Sequence, residues 1–92
     1  MTRQGLATLA ALKASTPPPD VDVLEDGRTV CEWYRGQRDS AVLTISADGR
    51  MVIYSALLPD GRRIVGKCPP ENRAALALFA SEFGFELGPV QP

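Results

Sequence analysis

Residues 41–62, AVLTISADGRMVIYSALLPDGR, decide the fold, because two apolar runs rich in β-branched residues are each followed by an Asp-Gly-Arg triplet. A third triplet, Asp26-Gly27-Arg28, and a further glycine turn at 35–38 lie upstream. Glycine adopts the positive φ that tight hairpins require, and Asp hydrogen-bonds its own backbone in turns. The spacing predicts a four-stranded antiparallel β-meander, with strands at residues 28–34, 38–46, 50–58 and 62–67.

Two helices are predicted to flank this meander in a single α+β domain of 92 residues. The N-terminal helix, residues 1–15, has a narrow apolar stripe at helical spacing and ends before three consecutive prolines. Residues 16–27 then form a proline-rich, acidic linker that favours polyproline II. The C-terminal helix covers residues 69–84, because proline fits its first turn and Gly84 ends it, and residues 85–92 form a tail.

The register predicted for the hairpin at Asp48 places the core on one face of the meander. A three-residue loop that pairs Ser46 with Arg50 sets Leu43 opposite Ile53. The C-terminal helix covers this face with apolar side chains that recur at i, i+3, i+4 and i+7, namely Leu76, Phe79, Ala80 and Phe83. The opposite face is also apolar in this register, and its residues are Val42, Thr44, Val52, Tyr54, Ala56, Leu58 and Ile64.

That second face must be covered, because large exposed apolar patches mark interfaces. Two interpretations are open: the N-terminal helix packs on it, or a second protein does, either a different partner or another copy of the chain. Trp33 and Tyr34 point to opposite faces, and the undetermined loop length at Gly36 leaves open which of them is buried. We expect Trp33 in the core and Tyr34 as an interface anchor.

Arginines form the second candidate surface. In a meander, alternate turns lie at the same end of the sheet, so four arginines should converge there although the net charge is only −1: Arg35, Arg38, Arg62 and Arg63. Such a cluster attracts a phosphate or an acidic protein surface. Asp39 and Asp60 lie among the arginines, so these could equally be solvated turn residues.

The residue inventory argues against catalysis. The chain has no His, no Walker-type loop and no Gly-x-Ser-x-Gly elbow, and Cys31 without an imidazole to activate it fits a small core residue better than a nucleophile. Cys31 and Cys68 are too few for a disulfide scaffold and lack metal-ligand spacing, which predicts free thiols, a cytoplasmic protein and no metal or other cofactor. The apolar stretches are shorter than the roughly 20 residues of a membrane helix, so no membrane partner is expected.

Residues 17–61 resemble a pattern in short bacterial proteins of unknown function that tend to sit near toxin–antitoxin and phage-defence genes. The residues that carry the resemblance are Pro17-Pro18-Pro19-Asp20-Val21, Asp26-Gly27, Glu32-Trp33, Gly36, Arg38, Asp48-Gly49-Arg50 and Tyr54. The resemblance implies a small stand-alone bacterial or phage protein that acts by binding, in the manner of an antitoxin, an immunity protein or an anti-CRISPR inhibitor. It carries over no catalytic or binding residue.

The sequence therefore predicts a non-catalytic partner-binding module, a small protein-binding inhibitor of the anti-CRISPR, antitoxin or immunity type. The contact residues that we expect are Arg35, Arg38, Arg62, Arg63, Tyr34, Tyr54 and Val52. A homodimer through the second face is one form that this binding could take. The alternative is a nucleic-acid-binding accessory protein that uses the arginine-rich end and whose affinity falls steeply with salt.

Overall fold

The computed structural model describes residues 1–36 and 39–89, which form two helices and one five-stranded antiparallel sheet in the order β1-β2-β3-β4-β5. The elements in chain order are α1 (Arg3–Lys13), β1 (Asp20–Val23), β2 (Thr29–Arg35), β3 (Asp39–Ile45), β4 (Val52–Leu57), β5 (Arg63–Cys68) and α2 (Arg73–Phe83). The α+β class and the antiparallel sheet with a helix near either terminus are confirmed. The predicted number of strands, four, is wrong.

The additional strand is β1, which lies inside the segment predicted to be a linker. It pairs antiparallel with β2, so that Val21 lies opposite Cys31. The hairpin closes where Gly27 N–H donates to the Leu24 carbonyl at 2.9 Å. The sequence DVDV of β1 has the period of two that is typical of a strand. Its carboxylates suggested a solvated linker, although charged side chains are also what protects an edge strand from aggregation.

Capping side chains set where the helices begin. The Thr2 hydroxyl accepts a hydrogen bond from Gly5 N–H at the start of α1, and the Asn72 side chain accepts one from Ala75 N–H at the start of α2. The predicted start of the C-terminal helix at residue 69 is wrong, because Pro69 lies in a turn in which its carbonyl accepts from Asn72 N–H. Gly84 ends α2 with a φ of 107°, as predicted.

The predicted register between β3 and β4 is wrong by one residue, since Leu43 lies opposite Tyr54 rather than Ile53. The loop explains the shift. Ser46 N–H donates to the Met51 carbonyl, while the Ser46 hydroxyl takes the place of a backbone acceptor for Met51 N–H. The loop is therefore one residue longer than predicted, and every side chain of β4 changes face. The residues of β4 that face the helices are Val52, Tyr54 and Ala56.

Both helices and the segment 85–88 pack on the same side of the sheet, which we call the covered face. One apolar cluster joins the sheet to both helices, and its members are Leu12, Cys31, Trp33, Ala41, Leu43, Ile45, Val52, Ala56, Leu58, Cys68, Leu76, Phe79, Ala80, Phe83 and Phe85. The interpretation that the N-terminal helix covers the second face is therefore wrong. Within the described residues, neither helix is long and apolar enough to cross a bilayer.

Polar contacts hold α1 on the covered face. Thr2 N–H donates to the Asp48 carbonyl at 3.1 Å, and the Thr2 hydroxyl donates to the Gly49 carbonyl at 3.0 Å. Further along the helix, the buried Thr8 hydroxyl donates to the Pro70 carbonyl at 3.3 Å. Because the contacts of Thr2 and Thr8 reach two different loops at the edge of the covered face, they select that face for α1.

The segment after α2 completes the cover. Thr16 and Glu86 exchange two backbone hydrogen bonds, of 2.8 and 3.0 Å, which join the chain after α1 to the chain after α2. Phe85 then stacks on Trp33 with ring centroids 4.1 Å apart and an interplanar angle of 8°. The residues predicted to be a tail therefore belong in part to the core.

Candidate functional site

The side of the sheet that faces away from both helices is the candidate site, and we call it the open face. Its described residues are exposed or half-buried, and they are Asp20, Asp22, Val30, Glu32, Tyr34, Ser40, Val42, Thr44, Ile53, Ser55, Leu57, Arg63, Val65 and Lys67. The described helices and the segment 85–88 pack on the other side of the sheet, where they form the core cluster.

Apolar side chains occupy the middle of the open face. Val30, Val42 and Leu57 are half-buried between their neighbours on the sheet. Ile53 is 53% exposed and Val65 is 68% exposed. A group of branched apolar side chains on a rigid sheet is the kind of surface that marks a protein interface.

Charged side chains lie at the two edges of the open face and differ in sign. Asp20 and Asp22 lie on β1, and Glu32 lies beside them on β2. Arg63 and Lys67 lie on β5, at the opposite edge of the sheet. The surface is therefore acidic along one edge, apolar in the centre and basic along the other edge.

Tyr34 lies on the open face, as expected of the aromatic residue that is not in the core. Its ring is 60% exposed, and its hydroxyl donates to the Glu32 carboxylate two residues earlier on the same strand. This hydrogen bond and the negative charge of Glu32 raise the pKa of Tyr34. The exposed ring, with its hydroxyl held, is suited to act as an anchor in an interface.

Trp33 points the other way and is buried, as expected. Its indole N–H donates to the Ser15 hydroxyl at 3.0 Å and approaches the Pro17 carbonyl at 3.2 Å. The residues between α1 and β1 thus satisfy the one polar atom that this large side chain brings into the core. Trp33 is a structural residue and not part of the candidate site.

The three described arginines of the predicted cluster lie at one end of the sheet but are divided between its two faces. Arg35 extends over the covered face, where its guanidinium lies against Gly84 and 5.5 Å from the centre of the Phe83 ring. Arg62 pairs with Asp60 at 2.6 Å, whereas Arg63 lies on the open face. Arg38 is outside the described residues. Arg63 is thus the one arginine of Arg35, Arg62 and Arg63 that belongs to the open face.

Val52 and Tyr54, which were expected to contact a partner, lie on the covered face. Val52 is fully buried. The Tyr54 ring packs on Phe79 with centroids 4.9 Å apart and lies directly over Gly66, where a Cβ atom would come within 2.5 Å of it. The placement of Val52, Tyr54 and Ile64 on the second face is therefore wrong, and its cause is the register shift in β4.

Sequence reasoning missed three apolar residues of the open face, Ile53, Leu57 and Val65. A signal for them was present in β5. Arg63, Val65 and Lys67 alternate with Ile64 and Gly66, and two cations on one side of a strand indicate the solvent side. The hairpin at Asp60 pairs Leu57 with Arg63. Leu57 therefore lies on the same solvent side of the sheet as Arg63, and so does Ile53, which pairs with Lys67 further along β4.

A groove between α2 and the β4–β5 edge is another recess that could hold a ligand. Its volume is about 290 Å³, and it is lined by Tyr54, Arg62, Ile64, Ala75, Leu78, Phe79 and Glu82. Most of its wall is apolar and the Arg62 and Glu82 groups at its rim are 3.9 Å apart. The groove contains no pair of groups arranged for proton transfer or nucleophilic attack, among the residues that line it.

Reactive groups are not assembled elsewhere in the described part of the chain. Burial raises the pKa of the Cys31 thiol to about 11, so this side chain is protonated and unreactive at neutral pH. Burial also raises the pKa of Cys68, and neither cysteine forms a disulfide. Across residues 1–36 and 39–89, no three or more His, Cys, Asp or Glu side chains come together in a way that could hold a metal ion.

Comparison with protein-family models, with curated proteins and with solved structures finds no match for this chain. The geometry and chemistry of the open face are therefore what indicates a function.

Proposed function

We propose that this protein is a non-catalytic binding module that docks a protein partner on the open face of its sheet. One observation carries the proposal: α1, α2 and the segment 85–88 all lie on the covered face, while the open face keeps an apolar centre. Covering such a centre with a partner removes apolar area from water, at roughly 25 cal/mol per Å². A small inhibitor, antitoxin or immunity protein acts by docking of this kind, and we favour that class.

The charges of the open face favour a protein over a nucleic acid. Three carboxylates, on Asp20, Asp22 and Glu32, oppose two cations, on Arg63 and Lys67. A polyanion gains affinity from a continuous basic surface and is repelled by carboxylates. A protein surface with its own acidic and basic regions can match both edges.

The test uses two exposed apolar residues of similar size in different places. Val65→Asp puts a charge on the open face, and Leu78→Asp puts the same charge on α2, where Leu78 is 63% exposed at the wall of the groove. Protein partners captured from the native cell are identified by mass spectrometry, purified and titrated against each variant by calorimetry. We expect Val65→Asp to weaken binding at least about tenfold, or 1.4 kcal/mol, and Leu78→Asp to bind like the parent.

Both substituted side chains are exposed, so circular dichroism should show parental folding for both variants. Loss of binding in Leu78→Asp with parental binding in Val65→Asp would move the site to the groove and overturn the proposal. A partner that proves to be DNA or RNA, with affinity that falls steeply between low and moderate salt, would overturn the choice of a protein.

A further inference from the structure

We propose that the partner that fits the open face is a second copy of this chain, packed face to face about a two-fold axis that runs parallel to the strands. The inference rests on the proposed function, because it takes the open face as the docking surface. It is carried by the arrangement of charged and apolar side chains in rows across the sheet.

Strand pairing sorts the open face into three rows that run across the strands from β1 towards β5. The first row is Asp22, Val30, Thr44, Ile53 and Lys67. The second row is Asp20, Glu32, Val42, Ser55 and Val65. The third row is Tyr34, Ser40, Leu57 and Arg63, since β1 does not extend that far. Two rows end in a cation on β5, and two begin with a carboxylate on β1.

A two-fold axis parallel to the strands sets each row against the same row of the other copy, with the order of the strands reversed. In that arrangement β1 of one copy lies over β5 of the other, and β3 lies over β3. The carboxylate of Asp22 then faces Lys67 of the other copy, and Val30 faces Ile53. In the third row, Tyr34 faces Leu57. In the second row Val42 faces its own counterpart, while Asp20 faces Val65 and Glu32 faces Ser55. The Asp22–Lys67 pair therefore forms once at each edge, and apolar contacts form between the edges at Val30–Ile53, Val42–Val42 and Tyr34–Leu57.

The other two-fold arrangement of two stacked faces is disfavoured by the same residues. An axis across the strands would lay β1 over β1 and β5 over β5. Asp20 would then face its own counterpart, and Lys67 would face Arg63. Like charges in direct opposition are unfavourable. The charge pattern thus favours the axis parallel to the strands over the axis across them.

The size of the open face sets the strength of such a dimer. Five strands spaced about 4.8 Å apart, each contributing about six residues of 3.3 Å, give a footprint of roughly 24 by 20 Å. Two such footprints bury on the order of 1,000 Å² in total, which is below the roughly 1,200 Å² at which stable interfaces begin and within the range of weak, transient ones. We therefore expect a reversible dimer whose fraction depends on protein concentration, with the two sheets packed as in a β-sandwich.

A charge-swap experiment tests the proposal. The first variant, Asp20→Lys/Asp22→Lys, makes both edges basic except at Glu32, and the second, Arg63→Glu/Lys67→Glu, makes both edges acidic. In sedimentation equilibrium the parent should shift with concentration from a mass of 9.9 kDa towards twice that value. Each variant alone should associate at least tenfold more weakly than the parent, whereas an equimolar mixture should recover the parental association as a heterodimer.

Cysteine cross-linking gives a second measurement that does not depend on the charge variants. In the proposed geometry Thr44 faces Thr44 of the other copy, so Thr44→Cys should form a disulfide-linked dimer under mild oxidation. Ile53→Cys is the matched control, because residue 53 faces Val30 there and should not cross-link to itself. The native cysteines are buried and do not compete. Cross-linking of Ile53→Cys without Thr44→Cys would overturn the geometry.

The outcomes separate this inference from the proposed function. A parent that stays monomeric at millimolar concentration, or a mixture that associates no more tightly than either variant alone, would overturn the dimer. If Val65→Asp still abolishes binding of a captured protein in that case, the open face remains a docking surface for another partner. If Val65→Asp also leaves that binding intact, both proposals fail.

Discussion

The covered face and the open face belong to the same strands and carry similar branched apolar residues, yet only one of them becomes a core. Val52 on the covered face is fully buried, whereas Val65 on the neighbouring strand is 68% exposed. The sheet supplies apolar side chains to both faces. Burial therefore depends on where the other elements attach, and not on the side chains of the strands alone.

Hydrogen bonds between particular residues join α1 and the segment after it to the rest of the fold. Thr2 bonds to the loop at Gly49, Thr8 to Pro70, and Trp33 to Ser15. Each of these contacts satisfies polar groups that would be costly to bury unpaired. Together they place α1 on the same side of the sheet as α2, which leaves no described helix for the open face.

The largest expected effect is the loss of Phe79 from the covered face. Phe79→Ala removes a buried ring that packs on Tyr54 and Phe85 and should lower the free energy of unfolding by about 3–5 kcal/mol. Urea denaturation measures this change in the free energy of unfolding. The control is Leu78→Ala at the adjacent, exposed position, which should change stability by less than about 0.5 kcal/mol. Equal midpoints for the two variants would contradict the assignment of the faces.

A second pair of variants tests whether the N-terminus of α1 depends on the turn at Gly49. Gly49 and Gly61 both have positive φ, so alanine at either should cost about 1–2 kcal/mol. A Cβ atom at Gly49 would also come within 2.9 Å of Thr2 N, whereas nothing lies within 4 Å at Gly61. Overpacking should add about 1–3 kcal/mol at Gly49. Thermal unfolding measures the stability of both variants. Equal losses of stability would show that the contact between the Gly49 turn and Thr2 does not hold α1 in place.

Valine-to-threonine changes compare the two faces with nearly constant shape. Val52→Thr buries a hydroxyl in an apolar surrounding and should cost about 1–3 kcal/mol. Val65→Thr leaves the hydroxyl in water and should stay within about 0.5 kcal/mol of the parent. Chemical denaturation at low protein concentration is the appropriate measurement, because self-association would add stability to the parent. A larger loss for Val65→Thr would reverse our assignment of the faces.

The smallest effect is a change in titration on the open face. Glu32→Gln should lower the pKa of Tyr34 towards its usual value of 10.0, because the carboxylate raises it. Since the folded-state pKa is raised, the contribution of this hydrogen bond to stability is present below pH 10 and is lost as the pH rises through the pKa of Tyr34. Ring-carbon chemical shifts followed by NMR distinguish Tyr34 from Tyr54. An unchanged Tyr34 curve in Glu32→Gln would contradict the contact.

Much of the local structure could be predicted because it depends on residues close together in the chain. In all three Asp-Gly-Arg triplets, an Asp carboxylate oxygen accepts the N–H of the Arg two residues later, at 3.0–3.1 Å. These bonds lower the pKa of Asp26 and Asp60. At Asp48 the hydrogen bond from the Ser46 hydroxyl and then the one from Arg50 N–H lower the pKa. The positions of the turns and the end of α2 at Gly84 follow from such short-range chemistry.

The candidate site could be predicted only in part. Tyr34, Val42, Thr44 and Arg63 were expected on a second face or in the contact surface and lie on the open face. The sequence places Val52 and Tyr54 on the wrong face, because it predicts a three-residue loop at Asp48, which is the length that the structure shows at the other two Asp-Gly-Arg hairpins. In those hairpins Leu24 pairs with Arg28 and Leu58 with Arg62, but Ser46 pairs with Met51.

The sequence by itself determined the hairpins that join β2 to β5, the two helices and the apolar character of both sheet faces, since each depends on neighbouring residues and on side-chain period. Only the tertiary structure decided that β1 joins the sheet, the register of β4 and the face that α1 covers. The Ser46 hydroxyl lengthens one loop, and Thr2, close to the start of the chain, docks on that same loop. Thr2 and Gly49 lie 47 positions apart in the chain, so local patterns do not predict their contact. The loop at Asp48 is local, but more than one loop length satisfies the same pattern of apolar and polar residues.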